Sequence, residues 1–407
     1  MTKLIRAVLV LAWASGCSSG GSDAIPLSGP NVAAVVVDRG PPALSQPYTN
    51  GLFVTVTLCE PGTSNCQTID HLLVDTGSVG VRVLESELTL ALPAVVDATG
   101  LALAECVQFV DGSAWGAVMV ADVEVGGEAA SSLPIQVIGE RTYPLPTECT
   151  GPPITDLASL GANGIFGVGI FVNDCGSACA QALSPLTQNP GLYYACGSTQ
   201  AGGCSVAAVP TVRQVANPVV AFPDSNGVMI RLPSVTALGA SSVSGQLVFG
   251  IGTQANNGLG NAYVLALDGA GHLQTAFPVG GPQYTSYLDS GTNALLFLDS
   301  VTANLPTCPE NNLSSFYCPA STTKLNAIVS GADGGGSLVN FRIADASRLD
   351  GSSCAFGNLA GPMPGYSSAD PRVPSFDWGL PFFFGRSVYT AIEGQPTIAG
   401  DGPYFAF

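Results

Sequence analysis

Charged residues are scarce in this sequence, and lysine is nearly absent. Only 10% of the 407 residues are charged, whereas 46% are hydrophobic. Disordered chains combine many charges with low hydrophobicity, so this composition excludes disorder and predicts a large packed core. Acidic residues outnumber basic ones by 29 to 12, and no basic stripe interrupts the net charge of −17. A field of that sign repels phosphate backbones, so we expect no binding to nucleic acid.

Histidine is also rare, which removes several catalytic chemistries. The chain has two histidines, in different halves, and no HExxH motif of a zinc protease. The literal match to the G-x-S-x-G motif of serine hydrolases, residues 16–20, is a chance match at the end of an N-terminal apolar segment. The richest glycine run, residues 333–336, lacks the lysine of a phosphate-binding loop and predicts a hairpin loop. We therefore expect neither a metal ion nor a cofactor.

Residues 1–16 are typical of a signal peptide. Two cations precede an apolar run over residues 7–14, which is too short to span a bilayer. Small residues then precede Cys17 in a pattern that resembles a bacterial lipobox, with ordinary cleavage nearby as the alternative. Residues 17–30 would form a flexible tether carrying a lipid on Cys17. The expected location is extracytoplasmic, in the bacterial cell envelope at the outer membrane or cell surface, with the membrane reached through this anchor.

Twelve cysteines indicate an oxidising compartment, because such a number is difficult to explain in a reducing one without metal sites. Their local spacing predicts three disulfides, namely Cys59–Cys66, Cys196–Cys204 and Cys308–Cys318. Eleven cysteines remain without Cys17, so at least one thiol is free. The other five cannot be paired from the sequence. A zinc site built on Cys175 and Cys179 is an alternative for two of them, although no second pair with this spacing supports it.

The two halves of the chain carry the same motif. An apolar stretch ends in Asp-Thr-Gly-Ser at residues 75–78, and a second ends in Asp-Ser-Gly-Thr at residues 289–292. Each is followed, at a similar distance, by a bulky apolar run that ends in glycine, at residues 164–167 and 382–385. One aspartate in a turn is an ordinary feature. Two copies in matching surroundings indicate a site made of two carboxyl groups.

This arrangement resembles the pepsin-like aspartic proteases, and it is similar to predicted bacterial lipoproteins with that architecture. In the family each lobe supplies one aspartate from such a loop, and an apolar strand ending in glycine crosses behind it. The similarity covers residues 31–400, including residues 109–116, which look like the family's flap hairpin. It implies an all-β, bilobal fold with few short helices, an N-terminal lobe over residues 31–212 and a C-terminal lobe over residues 213–407.

The resemblance implies that Asp75 and Asp289 are the catalytic pair. Attack of water on a peptide needs one group to accept a proton from the water and another to protonate the carbonyl oxygen. Two carboxyls that share one proton can do both, because like charges so close together cannot both ionise cheaply. The family pattern also implies six supporting residues, namely Thr76, Gly77, Ser78, Ser290, Gly291 and Thr292. The glycines allow tight turns, Thr76 and Ser290 brace the loops, and Ser78 and Thr292 hydrogen-bond the aspartates.

The expected flap and substrate-contacting residues are Phe109, Asp111, Gly112 and Ser113, together with Arg82. The family usually has tyrosine where this chain has Phe109, and tryptophan where it has Arg82. Two placements of Arg82 stay open from the sequence. It lies on the surface beside an acid, or it points into the cleft, where its charge would lower the pKa values of the pair and favour acidic substrates.

Short segments rich in β-branched residues and bounded by Gly, Pro, Asn or Asp predict strands. The clearest examples are residues 52–58, 118–125, 228–232, 246–249, 263–267 and 338–343. Short helices are expected at residues 85–91 and 300–305.

The predicted function is that of an exported aspartic endopeptidase acting as a monomer at acid pH. Its polypeptide substrate would lie extended beneath the flap hairpin and add main-chain hydrogen bonds like an extra strand. One alternative is a catalytically inactive pepsin-like lipoprotein with a binding or scaffolding role. Another is an enzyme that processes only itself or one partner.

Overall fold

The computed structural model describes residues 27–139, 142–182, 189–197, 203–310, 313–366 and 375–407. These residues are mostly β, as the sequence predicts, with two one-turn helices, α1 and α2, over Leu157–Leu160 and Ser177–Ala180. The predicted signal peptide and the lipid anchor at Cys17 lie outside this part of the chain. Within it, no helix has the length and apolar character needed to cross a membrane.

The strands are short and are numbered in chain order. Strands β1 to β11 are Val32–Asp38, Gly51–Cys59, Cys66–Asp75, Val79–Leu84, Ala102–Gln108, Ser113–Val125, Glu128–Ile138, Pro153–Ile154, Gly164–Val168, Tyr193–Cys196 and Cys204–Val206. Strands β12 to β25 are Gly227–Arg231, Val243–Phe249, Val264–Ala266, Leu273–Ala276, Gln283–Leu288, Leu295–Phe297, Thr323–Ser330, Gly336–Ile343, Ala360–Gly361, Phe376–Trp378, Ser387–Ala391, Pro396–Thr397, Gly400–Asp401 and Tyr404–Ala406. All six segments predicted as strands overlap these elements.

One large sheet of sixteen strands contains strands from both halves of the chain. Strand β1 connects the halves, because it pairs antiparallel with β2 on one side and with β13 on the other. Its run of valines and alanines suits a strand with neighbours on both edges. A second sheet of seven strands lies within the C-terminal half and contains β16, β17 and β21.

Each half contains the same crossing of three strands. In the N-terminal half, β9 lies between β3, to which it is parallel, and β4, to which it is antiparallel. In the C-terminal half, β21 lies in the same way between β16 and β17. The sequence repeat is therefore a repeat of structure, and each motif aspartate lies at the carboxyl end of the first strand of its unit.

The register corrects one sequence assignment. Gly167 pairs with Asp75 in the first unit, whereas in the second Trp378 pairs with Leu288, so that Gly379 comes level with Asp289. The glycine that corresponds to Gly167 is thus Gly379, and the assignment to residues 382–385 is wrong. Only glycine fits at this position without a clash, since a Cβ at Gly379 would lie 2.1 Å from the carbonyl oxygen of Ala294. Phe382 instead ends a 3-10 turn over Leu380–Phe382.

The two predicted helices are not helical over their expected lengths. Residues 85–91 contain only the 3-10 turn Glu85–Glu87, because the Gln67 amide accepts from the backbone N–H of Thr89 and draws the chain back towards β3. Residues 300–305 form turns rather than a helix. They end at Asn304, whose φ of 53° is left-handed.

Five disulfides are present in the described chain, and they include the three predicted from local spacing. The other two are Cys106–Cys149, which closes a long loop, and Cys175–Cys179. The zinc alternative for Cys175 and Cys179 is therefore wrong. Cys354 is the free cysteine of this part of the chain and is buried.

We expect a protein that starts at residue 27 to expose one reactive thiol, and only after unfolding. Ten of its cysteines are in disulfides, and burial raises the pKa of the Cys354 thiol, which keeps it protonated and unreactive. Titration with an aromatic disulfide reagent should give no thiol in the native protein and one in denaturant. The Cys354→Ala variant should give none in either condition. Additional thiols in freshly purified protein would contradict this disulfide pattern.

Candidate active site

The two motif aspartates meet at the contact between the halves. Asp75 is the last residue of β3, and Asp289 directly follows β16, so both carboxyls emerge from the ends of buried strands. Asp75 is only 7% exposed. A Cβ built on Gly77 would lie 2.6 Å from the Asp289 carboxyl carbon, and one built on Gly291 would lie 2.7 Å from that of Asp75. Each loop therefore needs glycine, because it packs directly against the carboxyl of the other half.

A reciprocal set of hydrogen bonds joins the two loops. The backbone N–H of Thr76 donates to the Ser290 hydroxyl at 3.1 Å, and the N–H of Ser290 donates to the Thr76 hydroxyl at 3.0 Å. Each hydroxyl also donates across the contact, from Thr76 to the carbonyl of Leu288 and from Ser290 to that of Val74. Since these side chains are buried, the four bonds fix the separation of the two carboxyls.

Each aspartate is also held by its own loop. Asp75 accepts from the N–H of Gly77 at 2.8 Å and from the hydroxyl of Ser78 at 2.5 Å. Asp289 accepts from the N–H of Gly291 at 2.7 Å and from the hydroxyl of Thr292 at 2.9 Å. The six predicted supporting residues thus all lie at the carboxyl pair, in the contacts expected of them.

The pair is arranged to share a proton. Burial raises the pKa of Asp289 above the usual carboxyl range, and the negative charge of Asp75 and a hydrogen bond with it add to the effect. Thr292 and Gly291 act in the opposite direction, because they donate to the charged form. One carboxyl can then accept a proton while its neighbour donates one, which is the chemistry needed to activate a water molecule.

The flap hairpin forms as expected, although only part of its loop is exposed. The N–H of Phe109 donates to the carbonyl of Gly112 at 2.7 Å, which closes the loop between β5 and β6. Asp111 is exposed. Gly112 and Ser113 are buried, and the N–H of Ser113 donates to the carbonyl of Pro152. Gly112 and Ser113 are therefore little exposed to solvent in this conformation.

Tyr48 is a candidate site residue that the sequence analysis missed. Its ring is half-buried and packs edge-on against Phe53, with the ring centroids 5.9 Å apart. Leu160 packs both in the cluster that contains Tyr48 and in the one that contains Phe109, so the Tyr48 ring lies near the flap hairpin. Burial and the charges of three acids, Asp111, Asp75 and Asp289, raise the pKa of the phenol. Its hydroxyl thus stays protonated beside the pair.

The signal for Tyr48 is absent from the local sequence. It follows Pro47 in an irregular segment and belongs to no motif. Part of the space for its ring comes from a glycine distant in the chain, since a Cβ on Gly161 would lie 2.3 Å from two of its ring carbons. Only the fold brings these segments together.

Arg82 occupies neither of the two positions left open by the sequence. It is fully buried in the N-terminal half, so assigning it to substrate binding is wrong. Its Nη1 donates to Glu105 at 2.7 Å and to the side-chain oxygen of Gln136 at 2.6 Å, and its Nη2 contacts Asp174 at 3.1 Å. A guanidinium has five N–H groups directed like a fork and can join three acceptors at once.

The Arg82 cluster supports the base of the flap hairpin. Glu105 belongs to β5 and Gln136 to β7, and both strands pair with β6. Burial raises the pKa of Glu105 well above its usual value, Arg82 opposes this, and the charge of Asp174 adds to it. The guanidinium of Arg82 therefore pairs with two carboxyl groups. One of them, that of Asp174, also accepts a hydrogen bond from the hydroxyl of Tyr193.

Among the described residues, one group of three potential metal ligands lies close enough together to hold an ion. It consists of Cys308, Glu310 and Cys318. Its two sulfur atoms are already joined in a disulfide, so it does not have the thiolate ligands of a metal site.

Comparison with known proteins gives one family and a shared fold. A family model described as "Protein of unknown function (DUF3443)" matches residues 28–407. The search of curated proteins finds no match. Among solved structures, the chain is similar to an aspartic proteinase from Irpex lacteus, with 14% identity and a TM-score of 0.54. The alignment covers 92% of this chain and 96% of that protein, and it shows the bilobal pepsin-like fold.

We expect the Arg82→Met variant to lose about 3–5 kcal/mol of unfolding free energy, because it leaves the buried carboxyls of Glu105 and Asp174 without their cation. Arg348→Met is the matched control. Arg348 is 75% exposed and pairs with Asp345 at 3.0 Å, so its loss should cost about 1 kcal/mol or less. Denaturant titration of the oxidised proteins measures both changes. Equal losses in the two variants would refute a structural role for the buried cluster.

Proposed function

The chain belongs to the DUF3443 family, and we propose that it is an exported aspartic endopeptidase that hydrolyses peptide bonds with Asp75 and Asp289. The observation that carries the proposal is the hydrogen-bonded pair of carboxyls, in which Asp75 is buried and the pKa of Asp289 is raised by burial and by Asp75. A site that only binds a ligand has no need of two acids that share a proton, since burying them costs stability.

The proposed reaction starts with a water molecule held between the carboxyls. The ionised carboxyl accepts a proton from this water as the oxygen attacks the peptide carbonyl carbon. The protonated carboxyl donates its proton to the carbonyl oxygen, and a tetrahedral diol forms. The nitrogen then takes a proton from the pair, the C–N bond breaks, and one hydroxyl of the diol returns its proton to the pair as the new carboxylic acid forms. The pair therefore ends with one proton, as it began.

The substrate would lie extended in the cleft between the lobes and beneath the flap hairpin. There it can pair its main chain as an added strand would. We assign Tyr48 to contact it, because the phenol lies near the hairpin and in the field of the carboxyl pair. We also propose that the protein acts as a monomer outside the cytoplasm, held to the membrane by a lipid on Cys17. Five disulfides support the oxidising compartment.

The test of catalysis is cleavage of a peptide library by protein starting at residue 27, between pH 2 and 7. Asp75→Asn and Asp289→Asn should each reduce kcat/KM by about 10³-fold or more, because each removes a group that transfers protons. A statine-type inhibitor should block the wild-type protein. Asp333→Asn is the control, since Asp333 lies in the exposed loop between β18 and β19 and should leave the rate unchanged.

The pH profile adds a second criterion. The active pair carries one proton, and a raised pKa of Asp289 retains that proton to a higher pH than separate carboxylates would. Activity should therefore begin on the acid side, extend towards neutral pH, and be lost as the pH rises through the upper pKa of the pair. Absence of cleavage by folded, disulfide-intact protein over the whole range would refute the proposal and favour a binding or scaffolding role.

We expect Tyr48→Phe to lower kcat/KM by about three- to tenfold, the value of one neutral hydrogen bond, with unchanged folding. Tyr263→Phe is the control, because Tyr263 is 45% exposed and belongs to the C-terminal half. Kinetics with one peptide found in the library would compare the two variants. Equal effects would remove Tyr48 from the proposed substrate site.

A further inference from the structure

A cavity of about 280 Å³ lies in the C-terminal half. Its walls come from β19, from the segment that follows β12, and from the 3-10 turn Leu380–Phe382 with the residues after it. Neither Asp75 nor Asp289 is among its lining residues. Three of the lining residues are exposed, namely Ser234, Thr236 and Asn340. The cavity is therefore open to solvent, and its volume is close to the lower limit of small-molecule pockets, which is about 300 Å³.

The cavity is lined by two cations and, among the described residues, by no acid. Arg342 and Arg386 both line it, and its lining residues include neither Asp nor Glu. A third cation, Lys324, lies beside Arg342, because the two residues pair directly across β18 and β19. The whole chain has only 12 basic residues against 29 acidic ones. Three of these few cations therefore lie at or beside one cavity.

The pairing of Lys324 with Arg342 is unfavourable by itself. Like charges directly opposite each other on paired strands repel and destabilise the pair. Both residues are exposed, and neither forms an ion pair with an acid among the described residues. An anion bound at this end of the hairpin would reduce the repulsion.

Arg386 is half-buried and also has no carboxylate partner in the described part of the chain. Its Nη1 donates to the carbonyl of Phe382, and its guanidinium carbon lies 4.5 Å from the centre of the Phe382 ring. These contacts fix the guanidinium without neutralising it, and burial lowers its pKa. The buried Arg82, in contrast, pairs with two carboxylates. Arg386 is thus a positioned cation that lacks an anion.

An unused hydrogen-bond acceptor also belongs to the cavity lining. Asn358 is only 5% exposed, and its Nδ2 donates to the carbonyl of Ala237 at 3.0 Å. Its Oδ1 atom is buried and has no hydrogen-bond partner among the described residues. A buried acceptor without a donor costs stability, so a ligand with an N–H group would gain from meeting it.

The remaining wall is apolar. Phe341 and Phe384 line the cavity and are 9% and 7% exposed. Gly357 lines it as well, and a Cβ there would lie 3.2 Å from the Val235 side chain and 3.9 Å from the Phe384 ring. The space beside these side chains therefore suits an apolar group of a ligand.

We propose that this cavity binds the C-terminal residue of a peptide whose last side chain is apolar. The carboxylate pairs with Arg342 and Arg386, because a guanidinium matches a carboxylate through two parallel hydrogen bonds. The amide N–H of the same residue donates to Oδ1 of Asn358. The side chain packs against Phe341 and Phe384. A single C-terminal residue carries all three groups, and its binding requires no catalysis by the carboxyl pair.

Titration of the disulfide-intact protein with N-acetyl-L-phenylalanine, followed by ligand-observed NMR, tests this assignment. The amide of this probe lacks the carboxylate and should bind at least about tenfold more weakly. 3-Phenylpropionate keeps the ring and the carboxylate but lacks the N–H, so its affinity should be about three- to tenfold lower. N-Acetylglycine lacks the side chain and should bind about tenfold more weakly or less.

Two variants locate the site. Arg386→Met and Arg342→Met should each weaken binding of N-acetyl-L-phenylalanine by about tenfold, because each removes a charged hydrogen-bond donor. Arg342 is exposed, so its substitution should leave the fold intact. Arg348→Met is the matched control, since Arg348 pairs with Asp345 in the same half and is not a lining residue. Its affinity should equal that of wild type.

Several results would overturn the proposal. Absence of binding by the wild-type protein is one, and equal binding of the acid and its amide is another. Unchanged affinity in both cavity variants would place the probe elsewhere, for example in the cleft between the lobes. Displacement of the probe by inorganic phosphate at a similar concentration would show a site for any anion. Peptide cleavage is measured separately, so failure of the proposed function leaves this binding test unaffected.

Discussion

Two carboxyl groups buried side by side repel each other, and the rest of the site is arranged to hold them together. The repulsion is reduced when the pair keeps one proton, and the distance is set by the reciprocal bonds of Thr76 and Ser290. Those bonds depend on the strands behind them, because each loop is the continuation of a strand enclosed by two others. The costly group therefore lies where hydrogen bonds from both halves converge, at the seam between two copies of one unit.

The interior of each half contains a second ionisable group near the pair or the flap hairpin. Arg82 is neutralised by Glu105 and Asp174, so a full charge is buried because its partners are buried with it. Among the described residues no cation pairs with Asp377, and burial instead raises its pKa well above the usual value. These are the two ways in which a protein interior accepts an ionisable side chain. The first joins strands of the flap hairpin, and the second lies in the field of the carboxyl pair.

Features that depend on short stretches of chain were predictable from the sequence. Three disulfides between cysteines seven to ten residues apart follow from local spacing, although Cys175–Cys179, four residues apart, was not assigned from it. The Asp-Thr-Gly-Ser repeat identifies the pair and its supporting residues. Features that depend on distant segments were not. Cys106 and Cys149 are 43 residues apart, and Gly379 is recognised only from the strand register, because Gly385 also ends an apolar run. Tyr48 needs the fold as well, because its neighbours Leu160 and Gly161 are distant in the chain.

The strand register also shows how one repeated unit supports two different environments. Corresponding rows across the three strands are Leu73, Ile165 and Arg82 in the N-terminal half, and Tyr287, Asp377 and Leu296 in the C-terminal half. Each row has one buried ionisable group, but on a different strand and with opposite intrinsic charge. In the first row the cation, Arg82, lies on the outer strand β4. Its guanidinium pairs with Glu105 and Asp174, which lie outside the three-strand unit. In the second the acid lies on the central strand, directly behind Asp289. Two aspartates from nearly identical loops thus have different residues on the strands behind them.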